Sequence, residues 1–158
     1  MQAEFAELIT ETVQPLMKAH GYLKDGLTFW RTANRLVYIV NFQKDKYNSG
    51  GHFAFCVNCG IYSAAYARVL GRDALPKPRA TECQVRYRIE EIPGAAYQWY
   101  RMEEWSDTDL CEALTSGLAK LERFFDKITR VEDMIPLASW NLPKDTETIA
   151  AAMAIQAD

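Results

Sequence analysis

Two segments of this chain alternate apolar and polar residues with period two, and that alternation limits the fold more than anything else in the sequence. In HFAFCVNCGI (52–61), Phe53, Phe55, Val57, Cys59 and Ile61 share one parity, and Ala54, Cys56, Asn58 and Gly60 share the other. In ECQVRYRIE (82–90), Cys83, Val85, Tyr87 and Ile89 oppose Gln84, Arg86, Arg88 and Glu90. Successive side chains on a strand point to opposite faces, so each segment has an apolar face and a small or polar one. Strands of this kind belong to an antiparallel sheet covered on one side and open on the other.

The rest of the chain supplies elements to complete such a sheet. Phe5, Leu8, Ile9, Val13, Leu16 and Met17 recur at helical spacing, so residues 3–19 read as an amphipathic helix. Pro15 removes one internal hydrogen bond and is expected to kink its last turn. His20-Gly21 is a stop, with Gly21 free to take positive φ. Strands are expected at 27–32, at 36–44 after the turn Ala33-Asn34-Arg35, at 52–61 after the loop 45–51, at 82–90, and at 96–102 beyond Pro93-Gly94. Tyr62, Tyr66, Val69 and Leu70 fit a short helix ended by Gly71, before the proline-punctuated loop 72–80.

The period then changes. Ser106 with Asp109 resembles an N-terminal cap, and Leu110, Leu114, Leu118, Leu121, Phe125 and Ile128 form a helical stripe. Thr129 and Glu132 form a capping-box pattern for a short helix, and Asp145 can cap a last Ala-rich helix near 146–156. Strands first and helices after them predict an α+β fold. The expected form is an N-terminal helix, a five-stranded mainly antiparallel meander, and C-terminal helices on its apolar face. With no repeat or linker, residues 1–158 read as one domain, 144–158 being a helical extension.

Bulk properties exclude several classes of function. A net charge of −3 offers no bulk attraction for nucleic acid or an anionic membrane, so neither is an expected partner. No stretch approaches the roughly 18–20 apolar residues of a membrane span. The acidic start MQAEFAELITETV lacks the basic and apolar regions of a signal peptide, so the expected compartment is the reducing cytoplasm.

Short pieces spread along the chain carry a family resemblance. They are Pro15-Leu16 before His20-Gly21-Tyr22, then Thr28-Phe29-Trp30-Arg31, then Phe42-Gln43-Lys44. Val57-Asn58-Cys59-Gly60-Ile61, Arg88 and Trp99 continue the pattern. Over roughly residues 5–140 the chain resembles family 4304 of the domains of unknown function, a mostly bacterial group without an established activity. The resemblance implies this order of elements. It brings no reaction and no catalytic residue.

Each motif with chemical potential has a plain structural alternative. Cys56-Val57-Asn58-Cys59 has the CxxC spacing of redox and zinc sites, but a separation of three within a strand puts the sulfurs on opposite faces. Cys83 and Cys111 supply no matching second pair, so all four cysteines read as free thiols and no metal is expected. His20 and His52 both stand beside turns, where one ends a helix and the other opens a strand. Glu103, Glu104, Asp107 and Asp109 surround Trp105 just before a helix, where carboxylates complement the N-terminal dipole. Arg68, Arg72, Lys77 and Arg79 form a basic stretch best read as a solvated loop.

The polar sheet face remains. Asn41, Gln43, Asn58, Arg86 and Arg88 all take the parity opposite the apolar one, and strands paired in sequence order would gather them. Arg31 can join them, although Phe29 and Trp30 leave the parity of its strand ambiguous. Guanidinium forks and amides suit a carboxylate, a phosphate or an acidic protein surface; an open face kept wet is the competing explanation. The expected function is therefore a non-catalytic cytosolic module that binds a protein or an anionic small molecule without a cofactor. The alternatives are a small enzyme with its site between this face and the loop 62–80, and self-association as a homodimer through surplus Tyr and Trp. The cysteine reading has a direct check. Thiol counting under denaturing, non-reducing conditions should return the four cysteines of the sequence, and a tightly held zinc equivalent would overturn it.

Overall fold

β3 (Leu36–Lys44) and β4 (Ala54–Ser63) pair without interruption from Leu36↔Ser63 to Lys44↔Phe55. In the computed structural model, which describes residues 1–92 and 99–157, β3 also pairs with β2 (Thr28–Ala33), and β2 with β1 (Leu23–Asp25). The other edge of β4 takes β5 (Val85–Arg88) and β6 (Tyr100–Arg101), and every pairing is antiparallel. Asn34 and Arg35, at φ 55° and 60°, make the turn between β2 and β3. Two residues with positive φ give a turn whose twist matches that of the strands.

The expected antiparallel α+β architecture holds, with three differences in the sheet. β1 was not anticipated: it is solvent-exposed, so no apolar alternation marks it, and Gly26 at φ 58° closes its turn. The strand expected at 82–90 pairs only over Val85–Arg88, because short 3-10 turns at Ala80–Glu82 and Ile89–Glu91 flank it. A carboxylate closes each turn: Arg79 N donates to Glu82 Oε2 (2.9 Å) and Arg88 N to Glu91 Oε2 (2.7 Å). The last strand lies on β4 rather than beyond β5. β4 is ten residues long, so its edge serves β5 at Asn58–Ile61 and β6 at Ala54–Phe55. Residues 96–98 of that expected strand, and the Pro93-Gly94 turn, lie outside the described residues.

Helices cover the apolar face. α1 (Gln2–Leu8), a π-turn (Ile9–Val13) and α2 (Gln14–Ala19) continue one another and bury Phe5, Leu8, Ile9, Val13 and Met17. The distortion expected in the last turn falls instead ahead of Pro15, in this wide turn, where the ladder lacks the proline N–H, and the last turn is regular α-helix. α3 (Ala64–Val69) follows β4 directly, with Ser63 Oγ accepting from Tyr66 N at 3.0 Å. α4 (Asp107–Asp126) is capped by Ser106, which accepts from Asp109 N at 3.1 Å, and buries Leu110, Leu114, Leu118, Leu121 and Phe125. α5 (Val131–Met134) is capped by Asp133 rather than Glu132, since Asp133 Oδ2 accepts from Thr129 N and Arg130 N at 3.1 Å each. α6 (Thr146–Ala157) begins at Asp145, whose Oδ1 accepts from Thr148 N at 2.9 Å. Gln156 then ties α6 to Val131 N (2.9 Å) and Asn34 O (3.3 Å).

The second face is not fully open. After α3 the chain folds back across it, and Tyr62, Ala67 and Cys83 pack on Ile39 with Trp30 and Val37 beside them. Cys83 precedes β5, so the strand parity that assigned it to the main core does not extend to it. Gln84, 5% exposed, hydrogen-bonds both Ser63 N (2.9 Å) and Ser63 O (3.0 Å) through its side chain. This cover requires a glycine beneath it. A Cβ on Gly60 would stand 2.8 Å from both Cβ and Sγ of Cys83 and 3.0 Å from Val85 O. Gly60→Ala should therefore lower stability by about 1–3 kcal/mol, the usual cost of overpacking a core. An unchanged urea midpoint would show that the close approach does not matter.

Candidate functional site

Register places Thr28, Asn41, Asn58 and Arg88 directly opposite one another on β2, β3, β4 and β5. They form one row on the uncovered half of the second face. Asn41 Nδ2 donates to Thr28 Oγ1 at 2.9 Å, and Asn58 Nδ2 donates to Asn41 Oδ1 (3.4 Å) and Gln43 Oε1 (2.9 Å). The amides thus hold one another in place. Arg86 stands opposite Gly60, which presents no side chain beside it.

Carboxylate neighbours divide the arginines, and Arg86 and Arg88 fall with Arg35, Arg68, Arg72 and Arg123, for which the described residues show no ion pair. Arg31, Arg79, Arg101 and Arg130 each lie within 4.0 Å of a carboxylate, whereas among the described residues no such pair involves Arg86 or Arg88. Arg88 Cζ lies 5.6 Å from the centre of the Trp99 ring, a cation–π distance. A cleft of about 370 Å³ opens over this region. Gln43, Asn58, Arg86 and Arg88 line it from the sheet, Ala80 and Thr81 from the preceding turn, and Glu91 and Ser139 from beyond β5. The Glu91 carboxylate is engaged locally by the backbone N–H of Arg88.

Five of the six sequence-predicted residues therefore come together: Asn41, Gln43, Asn58, Arg86 and Arg88. Arg31 does not. It pairs in register with Tyr38, on the core side of the sheet, because Ala33 meets Leu36 across the Asn34-Arg35 turn. Trp30 takes the other face. Arg31 Nη2 lies 3.6 Å from Glu122 Oε2, and its guanidinium stands 4.4 Å from the Tyr38 ring centre and 5.4 Å from that of Tyr22. Glu122 is 6% exposed on α4, so Arg31 joins β2 to that helix through a buried pair. Burial, with the Glu122 carboxylate next, pushes the Tyr22 phenol well above its ordinary range.

The remaining chemical motifs resolve into local structure. Cys59 points into the core and its thiol donates to Tyr87 O at 3.1 Å, while Cys56 lies on the ladder side, 3.9 Å from Gln43 Oε1. Burial raises the Cys56 and Cys59 thiols and pushes Cys83 up to about 12, so none is a ready nucleophile at neutral pH. Glu103 pairs with His52 and accepts from Phe53 N at 3.2 Å. Its carboxyl is held below the usual range by its own backbone N–H first and His52 next. Lys77 pairs with Asp25, and Arg79 with Glu82. Among the described residues no three His, Cys, Asp or Glu side chains gather as a metal site.

Sequence reasoning missed Thr28, Thr81, Glu91 and Ser139. Thr28 was recoverable, since a two-residue turn at Asn34-Arg35 sets it opposite Asn41. The other three arrive through turns and distant segments that carry no local signal.

The family described as a domain of unknown function, DUF4304, matches residues 13–132, and the chain belongs to it. No curated protein and no solved structure matches the chain. Of the short pieces that carried the resemblance, Thr28, Gln43, Asn58 and Arg88 meet in the polar row, while Tyr22 and Arg31 meet around Glu122.

The two groups should respond differently to mutation. Arg31→Ala leaves the buried Glu122 with only His20, whose Nδ1 lies 4.0 Å from Oε2, as an ionic neighbour and should cost about 3 kcal/mol. Arg86→Ala and Arg88→Ala should each cost no more than about 1 kcal/mol. Equal losses in chemical denaturation would remove the distinction between clamp and surface.

Proposed function

We propose that this protein is a non-catalytic binding module of the bacterial cytosol, which recognises an anionic group of a protein or small molecule through the polar row. One observation carries the reading: Arg86 and Arg88 face a cleft, beside ordered amides, without a carboxylate partner among the described residues. A guanidinium left without an internal acceptor is available to an external one, and its planar fork fits carboxylate or phosphate. The amides of Asn41, Asn58 and Gln43 spend donors and acceptors on each other, so the surface offers mainly cationic donors. Four free thiols and the absence, among the described residues, of a helix long and apolar enough to cross a membrane accord with the cytosolic setting.

A second reading is an enzyme that uses the same cleft. Its support is concavity, since the Ala80–Glu82 turn rises beside the sheet to give a recess rather than a plane. Against it stands the chemistry of the lining, which among the described residues holds no histidine and no activated nucleophile.

Calorimetric titration at low salt with oxalate and with inorganic pyrophosphate tests the reading. Charge-assisted hydrogen bonds contribute about 1.5–3 kcal/mol each, so Arg86→Ala and Arg88→Ala should each weaken binding tenfold or more while lowering the melting midpoint by no more than about 4 °C. Unchanged affinity in both variants, or no saturable binding by the wild type, contradicts it. Turnover of a bound anion would favour the enzyme.

A further inference from the structure

Trp140 is 92% exposed, against 72% for Tyr47, the next among the described large apolar side chains. Single exposed rings are common on protein surfaces and ask for no explanation by themselves. The backbone around Trp140 is unusual in being tied down on both sides. Tyr87 Oη donates to Leu137 O at 3.3 Å, Ser139 N donates to Gln84 O at 2.9 Å, and Tyr66 Oη donates to Pro143 O at 2.9 Å. The first two tethers run to β5 and the residue just before it, and β5 carries Arg86 and Arg88. Ser139, the immediate neighbour of Trp140, lines the arginine cleft.

We infer that Trp140 and the cleft form one docking surface, and that its occupant is an acidic segment of another protein with an apolar or aromatic side chain beside its carboxylates. The inference rests on the reading of Arg86 and Arg88 as anion-binding groups, and it adds the partner class. Trp and Arg are among the residues most enriched where binding energy concentrates, and a backbone already tethered on both sides of the ring has less freedom to lose on contact. A free small anion would meet the guanidiniums alone and leave the indole in water. An acidic peptide with an apolar neighbour satisfies both, whereas a bare inorganic anion does not.

Poly-glutamate and a random glutamate–tyrosine copolymer separate these elements, with affinities measured at low salt by light scattering or surface immobilisation. Wild-type protein should bind the copolymer at least tenfold more tightly than poly-glutamate. Trp140→Ala should abolish that preference with poly-glutamate affinity and melting midpoint unchanged, because the side chain is exposed. Arg86→Ala with Arg88→Ala should weaken both polymers tenfold or more. A preference that survives Trp140→Ala overturns the partner class while leaving the anion reading standing. Copolymer binding that survives loss of both arginines overturns the anion reading and the inference with it. Binding of neither polymer, or a dimer that dissociates in Trp140→Ala, likewise overturns the inference.

Discussion

The uninterrupted pairing of β3 with β4 determines the position of every other part. A slip of one residue would turn one strand over against the other, sending Asn41 or Asn58 towards the helices and Val40 or Val57 into water. Burial of Tyr38, Val40, Phe42, Phe55 and Val57 beneath α1, α2 and α4 prevents that slip. The same register sets Ile39 opposite Gly60 and Asn41 opposite Asn58 on the far side. One end of that side is apolar with a gap, the other is amide. The returning chain from α3 covers the first and leaves the second.

Gly60 makes the division possible. Without a side chain it admits Cys83 to van der Waals contact, and the Ala80–Glu82 turn can then lie beside the sheet. On the uncovered half the amides of Asn41, Asn58 and Gln43 hydrogen-bond one another, which fixes their orientation. Arg86 and Arg88 stand at the margin of this ordered patch. Arg31, by contrast, spends its charge on Glu122 inside the protein. Three arginines on two separate strands, β2 and β5, thus have two different settings, divided by strand parity.

Much of this was legible in the sequence, for reasons that can be named. Period-two alternation in 36–44 and 52–61 identified the faces, and the leucine stripe of 110–128 identified the helix that covers one of them. Short turns required antiparallel pairing. Arg31 was ambiguous because Phe29 and Trp30, on opposite parities, are both bulky. The register Ala33↔Leu36 puts Arg31 opposite Tyr38 and on the core side. The return of 72–84 across the second face was not legible, since its packing depends on a single glycine on another strand and no periodicity marks it. The same holds for Ser139, which is tied to Gln84, just ahead of β5, by a backbone hydrogen bond rather than by a pattern of side chains.

The central claim is that Arg86 and Arg88, ordered beside the amide row, are the groups this protein offers to an anion. The most direct measurement follows the side-chain N–H resonances of the arginines and asparagines while inorganic pyrophosphate is added. The account predicts saturable shifts at Arg86 and Arg88, with Asn58 following through its place in the row, and no change at Arg31. Shifts centred on Arg31, or none at Arg86 and Arg88, would contradict it.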